Sequence, residues 1–293
     1  MDTVLVTGGH GMLGRAVTTA LLRAGHHTVS LGRLELDITS PKAVASAWAA
    51  HRPHTVVNCA AYTAVDDAEE DEAAAWAVNA EGSRHLAEAA AGAGVPRRSA
   101  RLIHISSDYV FDGEATHPYA ENAPTRPRTA YGRSKLGGER AVLDTLPADG
   151  TVLRTAWLYG GHGRHFPATM ARLAHEPGRI VRVVADQYGQ PTWTGDLAAR
   201  VVELVRYPCP GILHASNAGE TTWFDLARAV FARAGADPER VRPARTADMP
   251  RPAARPGRST LGHGRWAAAG LSPMRHWLDA LDGAWPTLGL SSR

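Results

Sequence analysis

Two residue types are nearly missing from this sequence of 293 residues, which contains two cysteines and two lysines. Cys59 and Cys209 cannot build a disulfide framework, and their scarcity fits a reducing cytoplasm. The lysines are Lys42 and Lys135, so nearly all of the 32 cationic residues are arginines. A lysine retained in such a chain is a candidate for a specific role.

Long apolar runs and blocks of like charge are also absent. No run approaches the ~20 residues that a membrane-spanning helix needs, and the first nine residues lack the basic segment of a signal peptide. The arginines are spread along the chain, which argues against a nucleic-acid-binding arm. A net charge of +3 and a pI of about 9.1 suit an anionic ligand such as a nucleotide. We therefore expect a cytoplasmic protein with a small-molecule partner and no membrane or nucleic-acid partner.

Short apolar runs alternate with longer alanine-rich segments in the first half of the chain. The pattern predicts strands at 3–7, 27–31, 55–58, 102–106 and 151–155, and helices at 13–24, 43–51, 73–91 and 133–145. After residue 160 the pattern weakens, and it predicts strands at 180–185 and 212–215, a helix at 223–234, a loop at 242–258 and a helix near 272–285. This alternation predicts an α/β fold with a doubly wound parallel sheet.

The fold prediction divides the chain into a Rossmann-like nucleotide domain at 1–160 and a smaller C-terminal substrate-binding lobe at 161–293. The boundary is left open, because late strands often return to the main sheet.

The segment TGGHGMLG, residues 7–14, lies between the first strand and the first helix. Glycines there let the backbone turn tightly and approach a pyrophosphate, which the helix N-terminus attracts. The alternative is a simple turn between strand and helix, but the context favours nucleotide binding at Gly8, Gly11, Met12 and Leu13.

The second strand ends in Arg33 rather than in the carboxylate that binds the ribose of NAD. An arginine at this point pairs with the 2′-phosphate of NADP, so we favour NADPH. NADH stays open, because Glu35 and Asp37 follow closely, and Arg33 as a solvated loop residue stays open as well.

Tyr131 and Lys135 lie four residues apart, a spacing that places both side chains on one face of a helix. A nearby cation favours the phenolate and lowers the pKa of a tyrosine, which creates a group usable in proton transfer. By itself the pair could be an ordinary feature of an amphipathic helix. Ser107, however, ends a predicted strand, and parallel sheets bind ligands beyond the carboxyl ends of their strands. The three residues form a candidate Ser/Tyr/Lys catalytic set.

Several ordered motifs together resemble the extended short-chain dehydrogenase/reductase family, and within it the dTDP-4-dehydrorhamnose reductases. They are NCAAYTAVDDAE at 58–69, ISSDYVFDG at 105–113, YGRSKLGGE at 131–139, RTAWLYG at 154–160, DQYGQPT at 186–192, GILH at 211–214 and PAARPGRSTL at 252–261. The resemblance implies NADPH-dependent reduction of the C4 ketone of a dTDP-4-keto-6-deoxysugar, with dTDP-4-dehydrorhamnose as the expected substrate.

The resemblance also implies roles for individual residues. Tyr131 protonates the developing oxyanion, Ser107 orients it, and Lys135 lowers the pKa of Tyr131 and holds the cofactor ribose. The other implied cofactor-binding residues are Asp37, Ile38, Ala60, Ala61, Tyr62 and Thr63. The implied substrate-binding residues, besides Ser107, are Asp108, Tyr109, Trp157 and Arg255, with Arg258 as a further phosphate candidate.

Departures from the family pattern leave alternatives open. The family commonly has Lys at Asp67, Thr at Ser107 and Asn at His165, so a specialised antibiotic sugar such as dTDP-dihydrostreptose is an alternative product. Tyr109 stands where a dehydratase has glutamate, which argues against dehydration, whereas an epimerase is not excluded. A non-catalytic NADP-binding regulatory subunit is the alternative of another class.

The residue after the glycine turn that is acidic in some relatives is Arg15 here, so no metal is expected. We expect a monomer or a homodimer.

Overall fold

Most strands of the protein are short apolar runs. In the computed structural model, which describes residues 2–92, 100–271 and 273–289, the strands are β1 (Thr3–Thr7), β2 (His27–Leu31), β3 (Thr55–Asn58), β4 (Arg101–Ser107), β5 (Gly150–Thr155), β6 (Leu158–Tyr159), β7 (Val181–Val184), β8 (Tyr188–Gly189), β9 (Thr192–Trp193), β10 (Gly211–His214), β11 (Thr221–Thr222) and β12 (Val241–Ala244).

Helices alternate with the longer strands. They are α1 (Met12–Arg23), α2 (Pro41–His51), α3 (Asp67–Glu70), α4 (Glu72–Trp76), α5 (Gly82–Ala90), α6 (Ala130–Thr145), α7 (Phe166–Ala174), α8 (Thr194–Arg206), α9 (Trp223–Arg233), α10 (Gly264–Ala268) and α11 (Trp277–Ala284). A π-helical segment, Ala77–Glu81, joins α4 to α5, and 3₁₀ turns cover Asp108–Val110, Pro238–Arg240, Thr246–Asp248 and Trp285–Thr287.

The central sheet has six parallel strands in the order β10-β5-β4-β3-β1-β2. Its register places Thr7 beside Asn58 and Ser107 beside Thr155, so several strands end at one edge of the sheet. The predicted α/β class with a parallel doubly wound sheet is confirmed. This edge, where β1, β3 and β4 end, is where such sheets bind ligands.

The two faces of the sheet carry separate hydrophobic layers, since successive side chains of a strand point to opposite faces. Val4 and Val6 pack with residues of α1 and α8 on one face. Leu5 packs with residues of α2, α5 and α6 on the other. This double burial explains why the central strands are continuous apolar runs.

A separate hydrophobic core is formed by residues of α7, α9 and α11 that pack around Tyr159 and Phe231, and we call the part of the molecule around this core the C-terminal lobe. Strand β12 pairs with β7 in the same lobe. The chain also returns to the first half of the molecule, because β10 pairs with β5 and α8 packs with α1. The division at residue 160 therefore stays a prediction, and the sheet contains a strand from beyond it.

Several features of the secondary structure differ from the prediction. The predicted helix at 73–91 begins at Glu72, where Asp71 caps α4 through the amide of Ala74 at 2.9 Å, and the π-helical segment Ala77–Glu81 divides it into α4 and α5. The predicted loop at 242–258 begins within β12, which is formed by pairing with β7 rather than by local pattern. Helices α7 and α8 were not predicted. The last helix begins at Trp277, and Ser272 lies outside the described residues.

Candidate active site

The turn between β1 and α1 is held closely against the neighbouring backbone. Gly8 has φ = +61°, and a Cβ there would lie 2.6 Å from the amide nitrogen of Ala60. A Cβ on Gly14 would lie 2.2 Å from the carbonyl oxygen of Gly8. Gly11 is the N-cap of α1 and supplies no side-chain cap, and the first turn of the helix carries no acidic residue. The amides at this end of α1 are therefore suited to an anion.

A cleft of about 1260 Å³ begins at this turn, follows the carboxyl edge of the sheet and ends against the C-terminal lobe. Apart from Arg258, every residue that the sequence assigned to catalysis, cofactor or substrate lines it; these are Gly8, Gly11, Met12, Leu13, Arg33, Asp37, Ile38, Ala60, Ala61, Tyr62, Thr63, Ser107, Asp108, Tyr109, Tyr131, Lys135, Trp157 and Arg255. The chain thus brings the whole set together, and their individual roles stay predictions.

The candidate catalytic set lies where β4 ends beside the start of α6. Thr129 caps this helix by accepting a hydrogen bond from the amide of Gly132 at 3.0 Å, so Tyr131 lies in its first turn. Lys135 follows one turn later and donates from Nζ to the carbonyl oxygen of Ile105 at 2.6 Å. The Ser107 hydroxyl donates to Oδ1 of Asp108 at 2.9 Å.

Burial dominates the protonation of the two central groups. It raises the pKa of Tyr131 to about 12, although a hydrogen bond with Ser107 acts in the opposite direction. Burial also lowers the pKa of Lys135 to about 8, against the attraction of the Glu139 carboxylate. The lowering of the Tyr131 pKa that the sequence predicts from Lys135 is not found, because burial and the Asp108 carboxylate both raise this pKa and only the hydrogen bond with Ser107 opposes them. At neutral pH the Tyr131 phenol is therefore a proton donor.

Asp108 is the buried carboxyl group of the cleft. Burial raises its pKa to about 6, opposed by hydrogen bonds from Ser259 and Ser107. Its Oδ2 is buried and has no hydrogen-bond partner in the described part of the chain. Beside it, the ring of Tyr109 meets that of Tyr131 edge-on, with centroids 5.5 Å apart. A buried acceptor without a partner is costly, so Oδ2 is suited to a ligand hydroxyl.

An aromatic wall faces these groups from the C-terminal lobe. The rings of Trp157 and Trp223 stack with centroids 3.7 Å apart, and Phe166 meets Trp223 edge-on at 4.7 Å. Trp157 has φ = +45°, a left-handed conformation that is uncommon for a bulky residue. Such strain persists when the surroundings enforce it and clusters at ligand sites. Trp157 therefore belongs to the cleft rather than only to the core.

At the cofactor end, Arg33 is exposed and makes no hydrogen bond or ion pair with the residues that the structure describes. The two neighbouring carboxylates, Glu35 and Asp37, both accept hydrogen bonds from residues close to them in the chain. Oδ1 of Asp37 accepts hydrogen bonds from the amide and hydroxyl of Thr39 at 3.0 and 2.8 Å, and these bonds lower the pKa of Asp37. Glu35 accepts from the amide of Gly32 at 2.8 Å. The Arg33 guanidinium, which also attracts the Asp37 carboxylate, is thus available to an incoming anion at this end of the cleft.

Of the two arginines considered for phosphate, only Arg255 lines the cleft. Its guanidinium pairs with Asp66 at 2.8 Å, and Asp66 also accepts the amide of Ala253 at 3.2 Å. Arg258 pairs instead with Glu220 at 3.1 Å, outside the cleft. Asp66 therefore connects the loop after β3 to the loop that carries Arg255.

A family model described as RmlD substrate binding domain matches residues 1–288. The chain belongs to this family. A probable dTDP-4,6-dihydroxy-2-methyloxan-3-one 4-ketoreductase of Streptomyces antibioticus is 55% identical over 285 residues, covering 97% of this chain and 95% of that protein. A dTDP-4-dehydrorhamnose reductase of Streptomyces griseus is 52% identical over 289 residues, covering 97% and 93%.

A crystal structure of dTDP-4-dehydrorhamnose reductase from Bacillus anthracis in complex with NADP shares the fold with a TM-score of 0.91 and 35% identity, covering 97% of this chain and 99% of that chain. The resemblance found in the sequence is confirmed. The similarity to these reductases extends over nearly the whole chain, which is therefore an oxidoreductase.

The departures from the family pattern are distributed unevenly. Ser107 lines the cleft, whereas Asp67 and His165 do not. His165 caps α7 by accepting a hydrogen bond from the amide of Ala168 at 3.2 Å.

Among the described residues no group of three His, Cys, Asp or Glu side chains is placed to hold a metal ion. No described helix is long and apolar enough to span a membrane.

Sequence reasoning missed several groups at the site. Trp223 supports Trp157, and a buried pair of Glu139 and Arg154 lies behind Lys135. A signal for the pair existed: Glu139 stands four residues after Lys135 on the same helix face, and Arg154 is a charge within an otherwise apolar strand.

Proposed function

We propose that this protein uses NADPH to reduce the C4 ketone of a dTDP-4-keto-6-deoxysugar, with dTDP-4-dehydrorhamnose as substrate and dTDP-rhamnose as product. The observation that carries the proposal is the position of Ser107, Tyr131 and Lys135 between the glycine turn and the aromatic wall of one cleft. The names of the relatives from S. griseus and B. anthracis support the same reaction.

The residues of the cleft fit the cofactor. The uncapped start of α1 at Gly11 suits its pyrophosphate, and Arg33 suits the 2′-phosphate that distinguishes NADPH from NADH. Lys135 would hold the nicotinamide ribose, while the segment 60–63 would lie along the nicotinamide. When bound, the cofactor supplies a hydride to the ketone carbon.

The chain's own residues handle the ketone oxygen. The Tyr131 phenol, protonated at neutral pH because burial raises its pKa to about 12, donates its proton to that oxygen. The Ser107 hydroxyl hydrogen-bonds and orients the same oxygen. The positive charge of Lys135, one helical turn from Tyr131, favours the phenolate that remains. Asp108 and Trp157 contact the sugar, and Arg255 binds its diphosphate.

A specialised deoxysugar is the second candidate substrate. The observation that favours it is the 55% identity to the probable 4-ketoreductase of S. antibioticus, together with serine rather than threonine at position 107 in the cleft. Both candidates share the reaction and differ in the sugar and the product stereochemistry. We further propose a cytoplasmic protein without nucleic-acid or membrane partners, as the composition predicts, which is either a monomer or a homodimer.

The test incubates the purified protein with NADPH and a panel of dTDP-4-keto-6-deoxysugars that includes dTDP-4-dehydrorhamnose. Loss of nicotinamide absorbance reports turnover, and NMR of the product assigns the configuration at C4. Turnover of dTDP-4-dehydrorhamnose to dTDP-rhamnose supports the proposal, and preference for another sugar supports the specialised role. NADPH binding without oxidation in the presence of any sugar would replace the proposal with the regulatory function.

A further inference from the structure

Three ionisable side chains are buried together behind the candidate catalytic set. Lys135 and Glu139 lie on α6 and Arg154 lies on β5, and each is 2% exposed or less. We call these three residues the buried charge cluster. Burying charges costs free energy unless each is well paired, so such a cluster calls for a functional explanation.

Glu139 forms the centre of the buried charge cluster. Arg154 holds it with two hydrogen bonds, from Nε to Oε1 at 2.9 Å and from Nη2 to Oε2 at 2.6 Å. This forked geometry fixes the position of the carboxylate. The guanidinium also reaches the carbonyl oxygen of Glu121 at 3.3 Å and lies over the ring of Phe111 at 5.0 Å. The carboxylate is thus immobilised from the side of β5.

The same carboxylate connects α6 to the end of β4. The hydroxyl of Ser106 donates to Oε1 of Glu139 at 2.5 Å, and Lys135 donates to the carbonyl of Ile105 at 2.6 Å. Two successive residues of β4 are therefore bonded to two successive turns of α6. Ser107 follows directly, so these bonds contribute to its position relative to Tyr131 on α6.

Glu139 also supplies a negative charge one helical turn from Lys135. Its attraction opposes the burial that lowers the pKa of Lys135. Three other titratable groups nearby in the described structure are neutral at pH 7. Burial raises the pKa of Cys59, after β3, to about 12, and it lowers the pKa of His104, on β4, well below its usual value. The third group is Tyr131 of α6, whose pKa burial also raises. Arg154 of β5 is paired with Glu139, and Asp108 after β4 acts on Tyr131.

We propose that Glu139 is a positioning residue that keeps the Lys135 ammonium charged and sets Ser107 at its working distance from Tyr131. Its importance for turnover rests on the proposed function, whereas its effect on Lys135 does not. Arg154 and Ser106 hold Glu139 for this task. The carboxylate touches neither cofactor nor substrate, since Glu139 does not line the cleft.

The scarcity of lysine makes the charge effect directly measurable. In protein labelled with ¹³C-lysine, NMR detects two side chains, Lys135 and the exposed Lys42, which serves as an internal reference. Glu139→Gln should lower the pKa of Lys135 by about 1 to 2 units, since a unit charge one helical turn away acts through an effective dielectric constant of ~20. The Lys42 signal should be unaffected by the substitution.

Glu72→Gln is the matched control. Glu72 pairs with Arg133 on the exposed side of the same helix at 2.7 Å, so the substitution removes an ion pair of α6 outside the buried charge cluster. If Glu139→Gln does not fold, the double variant Glu139→Gln/Arg154→Met replaces both members of the buried ion pair with uncharged side chains, so that no unpaired charge is left in the interior. The Lys135 pKa should fall by less in that variant than in Glu139→Gln alone, because the positive charge of Arg154 is removed together with the negative charge of Glu139.

Kinetics test the consequence for catalysis. The alkaline limb of the kcat/KM profile should move to lower pH in Glu139→Gln by the same shift that NMR measures, and Glu139→Asp should restore part of it. An unchanged Lys135 titration in Glu139→Gln, or an equal shift in Glu72→Gln, overturns the proposal. If the wild-type protein reduces no keto sugar, the proposed function fails, and the NMR titration still decides the role of Glu139.

Discussion

Replacing Tyr131 by phenylalanine is the sharpest test of the catalytic set, because it removes one oxygen atom. The ring keeps its edge-on contact with Tyr109, whose centroid lies 5.5 Å away. Transfer of a proton by a positioned side chain contributes about 10²- to 10⁴-fold to a rate, equivalent to about 3–5 kcal/mol of transition-state stabilisation. The phenol is the protonated donor at neutral pH, so we expect kcat to fall by that factor.

The assay follows NADPH oxidation with the keto sugar at saturating concentrations, and nicotinamide fluorescence measures cofactor affinity separately. Affinity should be largely unchanged, because Lys135, Arg33 and the glycine turn remain. Tyr159→Phe is the matched control. Its hydroxyl is buried outside the cleft and has no partner in the described chain, so its removal should leave both kcat and stability nearly unchanged.

Near-normal kcat in Tyr131→Phe would refute the assignment of the proton donor. An equal loss in Tyr159→Phe would show instead that deletion of any buried hydroxyl disturbs the fold. A loss of cofactor affinity that matches the loss of kcat would place Tyr131 in binding rather than in proton transfer.

Three further predictions concern the cleft. Asp108→Asn keeps the acceptor for Ser107 but removes a carboxyl group whose pKa burial raises from 3.8 to about 6. Because the folded state binds the proton of this carboxyl group more tightly than the unfolded state does, the stability of the wild-type protein falls as pH rises from about 4 to about 6. The variant should therefore gain up to about 3 kcal/mol above pH ~6 and little near pH ~4, measured by thermal unfolding. Arg33→Ala should raise KM for NADPH by about 10- to 100-fold and leave KM for NADH unchanged, since the contact with the 2′-phosphate is charge-assisted; equal effects on both would contradict its role. Arg255→Ala should raise KM for the sugar nucleotide by about tenfold or more without changing KM for NADPH, and Arg258→Ala, outside the cleft, should change neither.

The parts of the fold that follow from local pattern were predictable. The apolar runs Thr3–Thr7, His27–Leu31 and Thr55–Asn58 are strands with the predicted bounds. Each is isolated by turn residues. Strands β1 and β3 are also buried on both faces, whereas β2 lies at the edge of the sheet and is only partly buried. The candidate site follows from the same logic, because parallel strands bring their carboxyl ends, and thus the glycine turn and Ser107, to one edge.

Features that depend on distant partners were not predictable. Strand β12 exists because it pairs with β7, about sixty residues earlier, and its Pro- and Arg-rich sequence resembles a loop. The ion pair of Asp66 with Arg255 joins residues 189 positions apart. Neither contact leaves a local periodic signal, so only the folded chain reveals them.

The Tyr131–Lys135 pair shows where spacing stops being informative. Four residues of separation correctly indicate a shared helix face. The protonation of the two groups depends instead on burial, which raises the pKa of the phenol and lowers the pKa of the ammonium. A lysine buried this deeply would lose much of its charge near neutral pH without a carboxylate beside it. Glu139, one turn further along α6, provides that charge, so the functional unit of this helix is Tyr-Lys-Glu rather than the pair alone.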